Sequence, residues 1–151
     1  MPTSPIVQLL VAVGVLACLG SIWKGGTAER IGGLLVLASI AFSLFGAALL
    51  PKGAFLFGQM IGDAIVALGL LGLTLRFGSP WLGLAMLLYA GQFALHSFYF
   101  VTQRPNDLFH ATMNNVNFMG VILSVLLGTV TAILRRRKQR RAAAAAATAR
   151  T

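Results

Sequence analysis

Charged residues are scarce in this sequence, and acidic residues are nearly absent. Lysine, arginine, aspartate and glutamate together make up 10% of the 151 residues, and only three of these are acidic. Soluble domains carry about 25% charged residues. Here 58% of the residues are hydrophobic, and the mean hydropathy is +0.85. The composition excludes an ordinary soluble domain and predicts an integral membrane protein.

A second cysteine and any familiar catalytic motif are also missing. Cys18 stands alone within an apolar run, so no intrachain disulfide can form and cysteine usage indicates no redox compartment. There is no glycine-rich phosphate loop, no nucleophile elbow and no carboxylate pair suited to glycoside or phosphoryl chemistry. The sequence therefore favours a protein that is not an enzyme.

Five long apolar runs are present, and each is long enough to cross a membrane, which takes about 20 residues with some latitude. The links between them are short, which implies antiparallel neighbours. The sequence thus predicts an all-α bundle of five transmembrane helices, formed by residues 1–141. The runs are Ile6 to Trp23, Ile31 to Leu50, Ala54 to Leu75, Trp81 to Val101, and Asp107 to Leu134.

Six of the twelve basic residues directly follow the last apolar run, as Arg135, Arg136, Arg137, Lys138, Arg140 and Arg141. This placement is typical of an anchor to anionic lipid headgroups, so we expect the bilayer to be the partner rather than nucleic acid. Residues 142–151 form an alanine-rich tail with high helix propensity but no apolar partner. We expect this tail to fray.

The basic residues also predict an orientation, because cytoplasmic loops carry an excess of lysine and arginine. With five spans, ten of the twelve basic residues lie on the side of the C-terminus, and only Lys52 and Arg104 lie on the other side. We predict a bacterial-type inner membrane protein with its N-terminus outside and its C-terminus in the cytoplasm. No basic residue precedes the first run, so we expect a retained helix rather than a signal peptide.

Polar residues interrupt the last three apolar runs at helical spacing. Residues 59/63 and 92/96 are i, i+4 pairs, and residues 110/114/117 follow the same periodicity, so each set shares one helix face. At 1.5 Å per residue all of them lie at similar depth in the outer half of the membrane. We predict a polar pocket that opens toward the outer face. Its residues are Gln59, Asp63, Gln92, His96, His110 and Asn114, with Asn117 continuing the face of the last helix.

Asp63 is the only acidic residue in the interior of a predicted helix, and there it must be protonated, paired or solvated. Its most plausible partners are His96 and His110. A structural interpretation competes with a ligand site, because glutamine and asparagine in membrane helices often form interhelical hydrogen bonds worth about 0.6 to 2 kcal/mol. Both interpretations stay open at this point.

Two cofactors are compatible with these residue types. His96, His110 and Asp63 could supply three ligands to a first-row metal ion, although no H-x-x-H or E-x-x-H spacing supports such a site. A haem would need two facing histidines, and His96 and His110 flank one hairpin. Asn106 or Asp107 can cap the last helix, and Asp107 is expected to act as a cap instead of binding a ligand.

Small residues and tryptophans predict how the helices pack. Ser124, Gly128 and Ala132 continue the polar face of the last helix and permit close backbone approach, so we expect that helix to be central. Trp23 and Trp81 are expected at the inner headgroup level.

Three hypotheses for function follow. The favoured one is a membrane protein that binds a small ligand or metal in its outer pocket, alone or as an accessory subunit. The second is a structural subunit or assembly factor, whose polar layer sets helix packing and whose small-residue faces meet another subunit or a second copy. The third is a membrane enzyme that uses a histidine and an aspartate as acid and base on a lipid or quinone.

Overall fold

The protein is an all-α bundle, seen in a computed structural model that describes residues 5–105 and 107–148. Each of the five helices is long and apolar enough to cross a membrane, with a mean hydropathy of 1.4 to 2.3 over its most apolar window. The predicted fold class is confirmed. The helices are α1 (Pro5–Lys24), α2 (Thr27–Leu49), α3 (Lys52–Phe77), α4 (Pro80–Val101) and α5 (Leu108–Thr148).

The second helix begins at Thr27, earlier than the predicted apolar run, because an acidic residue caps it. The Glu29 carboxylate accepts a hydrogen bond of 2.8 Å from the backbone N–H of Gly26. The hydroxyl of Ser21 donates to the carbonyl oxygen of Glu29 over 2.7 Å. These bonds satisfy polar groups at the turn between α1 and α2 and let the helix start before its apolar stretch.

The last helix continues well past the end of its apolar run at Leu134. It spans 41 residues, or about 60 Å, which is about twice the thickness of a bilayer core. Its apolar part covers a membrane span, and its continuation to Thr148 carries the basic residues and the alanine run on exposed positions. Fraying of this end stays a prediction.

The helices form a ring in chain order. Each packs against its neighbours, α5 closes the ring on α1, and α2 and α5 also touch across the middle. The expected central position of α5 is therefore shared with α2, since these two helices touch each other across the middle of the ring. Ser124 and Ala132 of α5 are buried, as expected for a close-packed face.

The side chain of Trp81 occupies a slot between α2 and α5. Its side chain is only 3% exposed. An added Cβ on Gly128 would lie 2.6 Å from its ring, and one on Gly32 would lie 2.7 Å from it. Two glycines on other helices create room for the indole inside the bundle, and the placement of Trp81 at the inner headgroup level stays a prediction. Trp23 is 78% exposed.

The two ends of the bundle differ in character. Because the links are short, one end holds the start of α1, the α2–α3 link at Pro51, the end of α4 at Val101 and the start of α5 at Leu108. We call this the cavity end, because a cavity between the helices lies near it. The opposite end holds Lys24, the α3–α4 link and the basic extension of α5, and we call it the basic end.

Candidate functional site

A cavity of about 230 Å³ lies near the cavity end, and all five helices contribute to its wall. Ten of the lining residues have polar side chains and seven have apolar side chains. The mixture makes the cavity amphiphilic rather than a purely apolar gap in packing. The polar side is formed by Ser39, Ser43, Gln59, Asp63, Tyr89, Gln92, His96, Asn114, Asn115 and Asn117.

Asp63 of α3 and His96 of α4 form a buried pair on this wall. The His96 Nδ1 lies 2.6 Å from Oδ2 of Asp63, and both side chains are almost fully buried. An imidazole N–H that donates to a carboxylate makes a strong, charge-assisted hydrogen bond. The expectation that Asp63 would find a histidine partner is confirmed, and that partner is His96.

Three amide side chains bridge α4 and α5 beside this pair. The side-chain Nε2 of Gln92 donates to the side-chain Oδ1 of Asn114, and Oε1 of Gln92 accepts a hydrogen bond of 3.1 Å from Nδ2 of Asn117. This is the interhelical bridge that the structural interpretation predicts. Gln59 lines the cavity and, within the described part of the chain, makes no side-chain hydrogen bond.

His110 lies behind the cavity rather than on its wall. Its ring centroid is 5.5 Å from that of His96 and 4.6 Å from that of Tyr99. The side chain is buried, and its Nε2 has no hydrogen-bond partner among the described residues. The sequence placed His110 with the ligand-binding residues, whereas the structure places it in contact with one of them.

Asp107 caps α5, as expected from the sequence. Its Oδ1 accepts hydrogen bonds from the backbone N–H of His110 over 2.9 Å and from the Tyr99 hydroxyl over 2.6 Å. The Tyr99 hydroxyl bond, followed by the His110 amide bond, lowers the pKa of the Asp107 carboxyl. Arg104 lies 3.4 Å away and adds a partly exposed ion pair. Asn106, the alternative cap, lies outside the described residues.

These contacts form a continuous series from the surface to the cavity. Asp107 contacts Tyr99, Tyr99 contacts His110, His110 contacts His96, and His96 contacts Asp63. Tyr99 lies three residues after His96 and so on the same helix face, which is a usable signal in the sequence for this series. An aromatic ring in an apolar run is also typical of the lipid interface or the core, so the spacing alone does not specify its role.

A metal or haem finds little support in this arrangement. Among residues 5–105 and 107–148 no group of three His, Cys, Asp or Glu side chains is placed to hold a metal ion. A haem iron would need His96 and His110 on opposite faces of the macrocycle. Their rings are at the centroid distance of aromatic side chains in direct contact, which leaves no room for a haem between them.

Comparison with known proteins adds no constraint. No protein-family model, curated protein or solved structure matches this chain. The function is therefore argued from the geometry and chemistry of the site.

Proposed function

We propose that this membrane protein binds one small amphiphilic molecule, neutral or cationic, in the cavity near the cavity end. The observation that carries the proposal is the buried pair of Asp63 and His96 on a wall to which all five helices contribute. Ionisable groups are costly at membrane depth and are usually retained where they serve a site. A purely structural role would account for the hydrogen bond between Asp63 and His96, but not for the cavity that lies beside this pair.

The volume limits the ligand to about the size of one ring. A cavity of about 150 Å³ can hold benzene, whereas sites for drug-sized ligands are about 300 to 1,000 Å³. The value of 230 Å³ lies between them. A single six-membered ring with a short polar substituent would fill it.

The charges of the wall favour a neutral or cationic ligand. Among the described residues no lysine or arginine lines the cavity, and Asp63 is paired only with His96. An anion would therefore meet a carboxylate with little compensation. The amide groups can bond the polar end of a ligand, while Val7 and Phe118 offer apolar contact.

The first prediction uses three one-ring probes of similar size and different charge: benzylammonium, benzyl alcohol and benzoate. We expect saturation-transfer NMR on the detergent-solubilised protein to show tightest binding for benzylammonium and weakest for benzoate. Ser39→Phe should abolish binding, because this residue lines the cavity. The neighbouring, outward-facing Ala38→Phe should keep it. Equal signals from all probes in both variants would indicate partition into detergent and contradict the site.

A structural role is the second candidate, and the amide bridge of Gln92, Asn114 and Asn117 favours it. Such a bridge fixes the rotation of α4 against α5 without any ligand. Association with another membrane subunit or a second copy then stays a prediction. A membrane enzyme acting on a lipid or quinone has no additional observation in its favour.

The orientation is also a proposal: the cavity end faces outward, and the basic end faces the cytoplasm of a bacterial-type cell. The support is the concentration of basic residues at the basic end. In a Cys18→Ala background, Gly53→Cys should react with an impermeant maleimide added to intact cells, and Ala145→Cys should react only after lysis. Both positions are exposed. The opposite labelling pattern would reverse the assignment.

A further inference from the structure

A second cavity, of about 390 Å³, lies at the basic end where α5 extends past the end of α1. Its wall is formed by four basic residues and one apolar residue: Lys24, Arg136, Arg137, Arg140 and Ile133. No acidic residue belongs to this wall. A concave site with only positive charges calls for an anionic occupant.

Arg136 holds this site together. Its guanidinium donates to the carbonyl oxygen of Lys24 over 3.2 Å and to that of Gly25 over 3.0 Å. These carbonyls lie at the end of α1, where helix carbonyls lack intrahelical partners and the helix dipole favours a cation. Arg136 is therefore a positioning residue that fixes Lys24 beside α5.

The other three cations stay available for a ligand. Within the described residues, no carboxylate lies within ion-pair distance of Lys24, Arg137 or Arg140. The ammonium of Lys24 lies 4.9 Å from the ring centroid of Trp23, which is itself largely exposed. An exposed tryptophan next to a lysine at a helix end is typical of the headgroup level of a membrane. The unpaired charges therefore lie where lipid phosphates are found.

We propose that the cavity formed by Lys24, Arg137 and Arg140 binds the headgroup of an anionic phospholipid. Basic pockets between transmembrane helices are suited to such headgroups. Three unpaired cations match the two phosphates of diphosphatidylglycerol better than the single phosphate of phosphatidylglycerol. Ile133 provides an apolar contact beside the charges, as a lipid requires and a free phosphate does not. This site is independent of the ligand cavity at the other end.

Native mass spectrometry of the detergent-solubilised protein tests this site with three lipids: diphosphatidylglycerol, phosphatidylglycerol and phosphatidylcholine. We expect one bound diphosphatidylglycerol, with weaker binding of phosphatidylglycerol and little binding of phosphatidylcholine. The Arg137→Gln/Arg140→Gln variant should bind diphosphatidylglycerol about 30-fold more weakly, since each basic residue near a membrane surface contributes roughly fivefold.

The matched control is Arg30→Gln/Arg76→Gln, which removes the same charge at the basic end from two exposed residues that belong neither to the cavity wall nor to the basic cluster of α5. It should keep most of the affinity. An equal loss in both variants would show diffuse attraction rather than a site and overturn the proposal. Displacement of the lipid by millimolar inorganic phosphate would identify a soluble anion as the occupant and overturn the lipid assignment. Binding of benzylammonium should be the same in both variants, so the two sites are tested separately.

Discussion

Replacing Asp63 with alanine should lower the free energy of unfolding by about 3 to 5 kcal/mol, because it leaves His96 buried without its partner. The conservative change Asp63→Asn should cost less, since the amide oxygen can still accept the hydrogen bond from Nδ1. Denaturant titration in mixed micelles measures both values. The control is Asp107→Ala, which removes a partly exposed helix cap and should cost only about 1 kcal/mol.

A double substitution shows how much the Asp63–His96 pair contributes to stability when neither partner is left buried and unpaired. Asp63→Leu/His96→Met replaces a buried polar pair with apolar side chains of similar volume, and such replacements are often neutral or stabilising. We therefore expect the double variant to be more stable than either single variant. If Asp63→Ala were as stable as the unchanged protein, the hydrogen bond between α3 and α4 would not contribute to the folded state.

The same variants decide between the ligand-binding and structural interpretations. If the carboxylate serves a cationic ligand, Asp63→Asn should keep the fold but lose the preference for benzylammonium over benzyl alcohol. If the carboxylate serves only helix packing, no probe should bind to the unchanged protein or to Asp63→Asn. The substitution should then alter only the free energy of unfolding. Retained preference for benzylammonium in Asp63→Asn would remove Asp63 from the proposed site.

The five helices and the polar layer could be predicted because both depend on local sequence. Apolar runs give the spans, and the i, i+4 spacing of Asp63 with Gln59 and of His96 with Gln92 puts each pair on one face. Which histidine pairs with Asp63 was harder to predict from the sequence. Whether Asp63 would meet His96 or His110 depends on how α3, α4 and α5 are rotated about their axes, and no local pattern specifies that rotation.

Three residues that line the cavity were difficult to predict from the sequence: Ser39, Ser43 and Tyr89. Ser39 and Ser43 of α2 line it at i, i+4 spacing. Short hydroxyl side chains in membrane helices can bond their own backbone, so they do not predict a site as an aspartate does. Tyr89 also lines the cavity, three residues before Gln92. Its spacing placed it on the polar face, but its aromatic ring suggested the core or the lipid interface.

The slot around Trp81 could not be predicted from the sequence, because the residues that form it come from three helices. Gly32 of α2 and Gly128 of α5 flank an indole supplied by α4. From the sequence alone, each glycine is typical of the small residues that occur where membrane helices pack closely together. Only the assembled bundle shows that both glycines make room for the same ring.

Gly128→Ala should be among the most destabilising small substitutions in this chain. The new Cβ would lie 2.6 Å from three atoms of the Trp81 ring, and Gly32 prevents the ring from moving toward α2. Overpacking of a buried site costs about 1 to 3 kcal/mol, and we expect the upper part of that range. In a Trp23→Phe background, Trp81 is the only indole, so a shift of its fluorescence to longer wavelength should accompany the loss of stability.

The matched controls are Gly62→Ala and Gly72→Ala, because an added Cβ meets no other atom at either position. Alanine is a better helix former than glycine, so these changes should be neutral or stabilise the protein by up to about 1 kcal/mol. Adding Trp81→Leu to Gly128→Ala should recover part of the loss, because the smaller side chain relieves the overlap. If Gly128→Ala were as well tolerated as Gly62→Ala, the indole would not occupy the slot between α2 and α5. The packing that joins these two helices would then have to depend on other contacts.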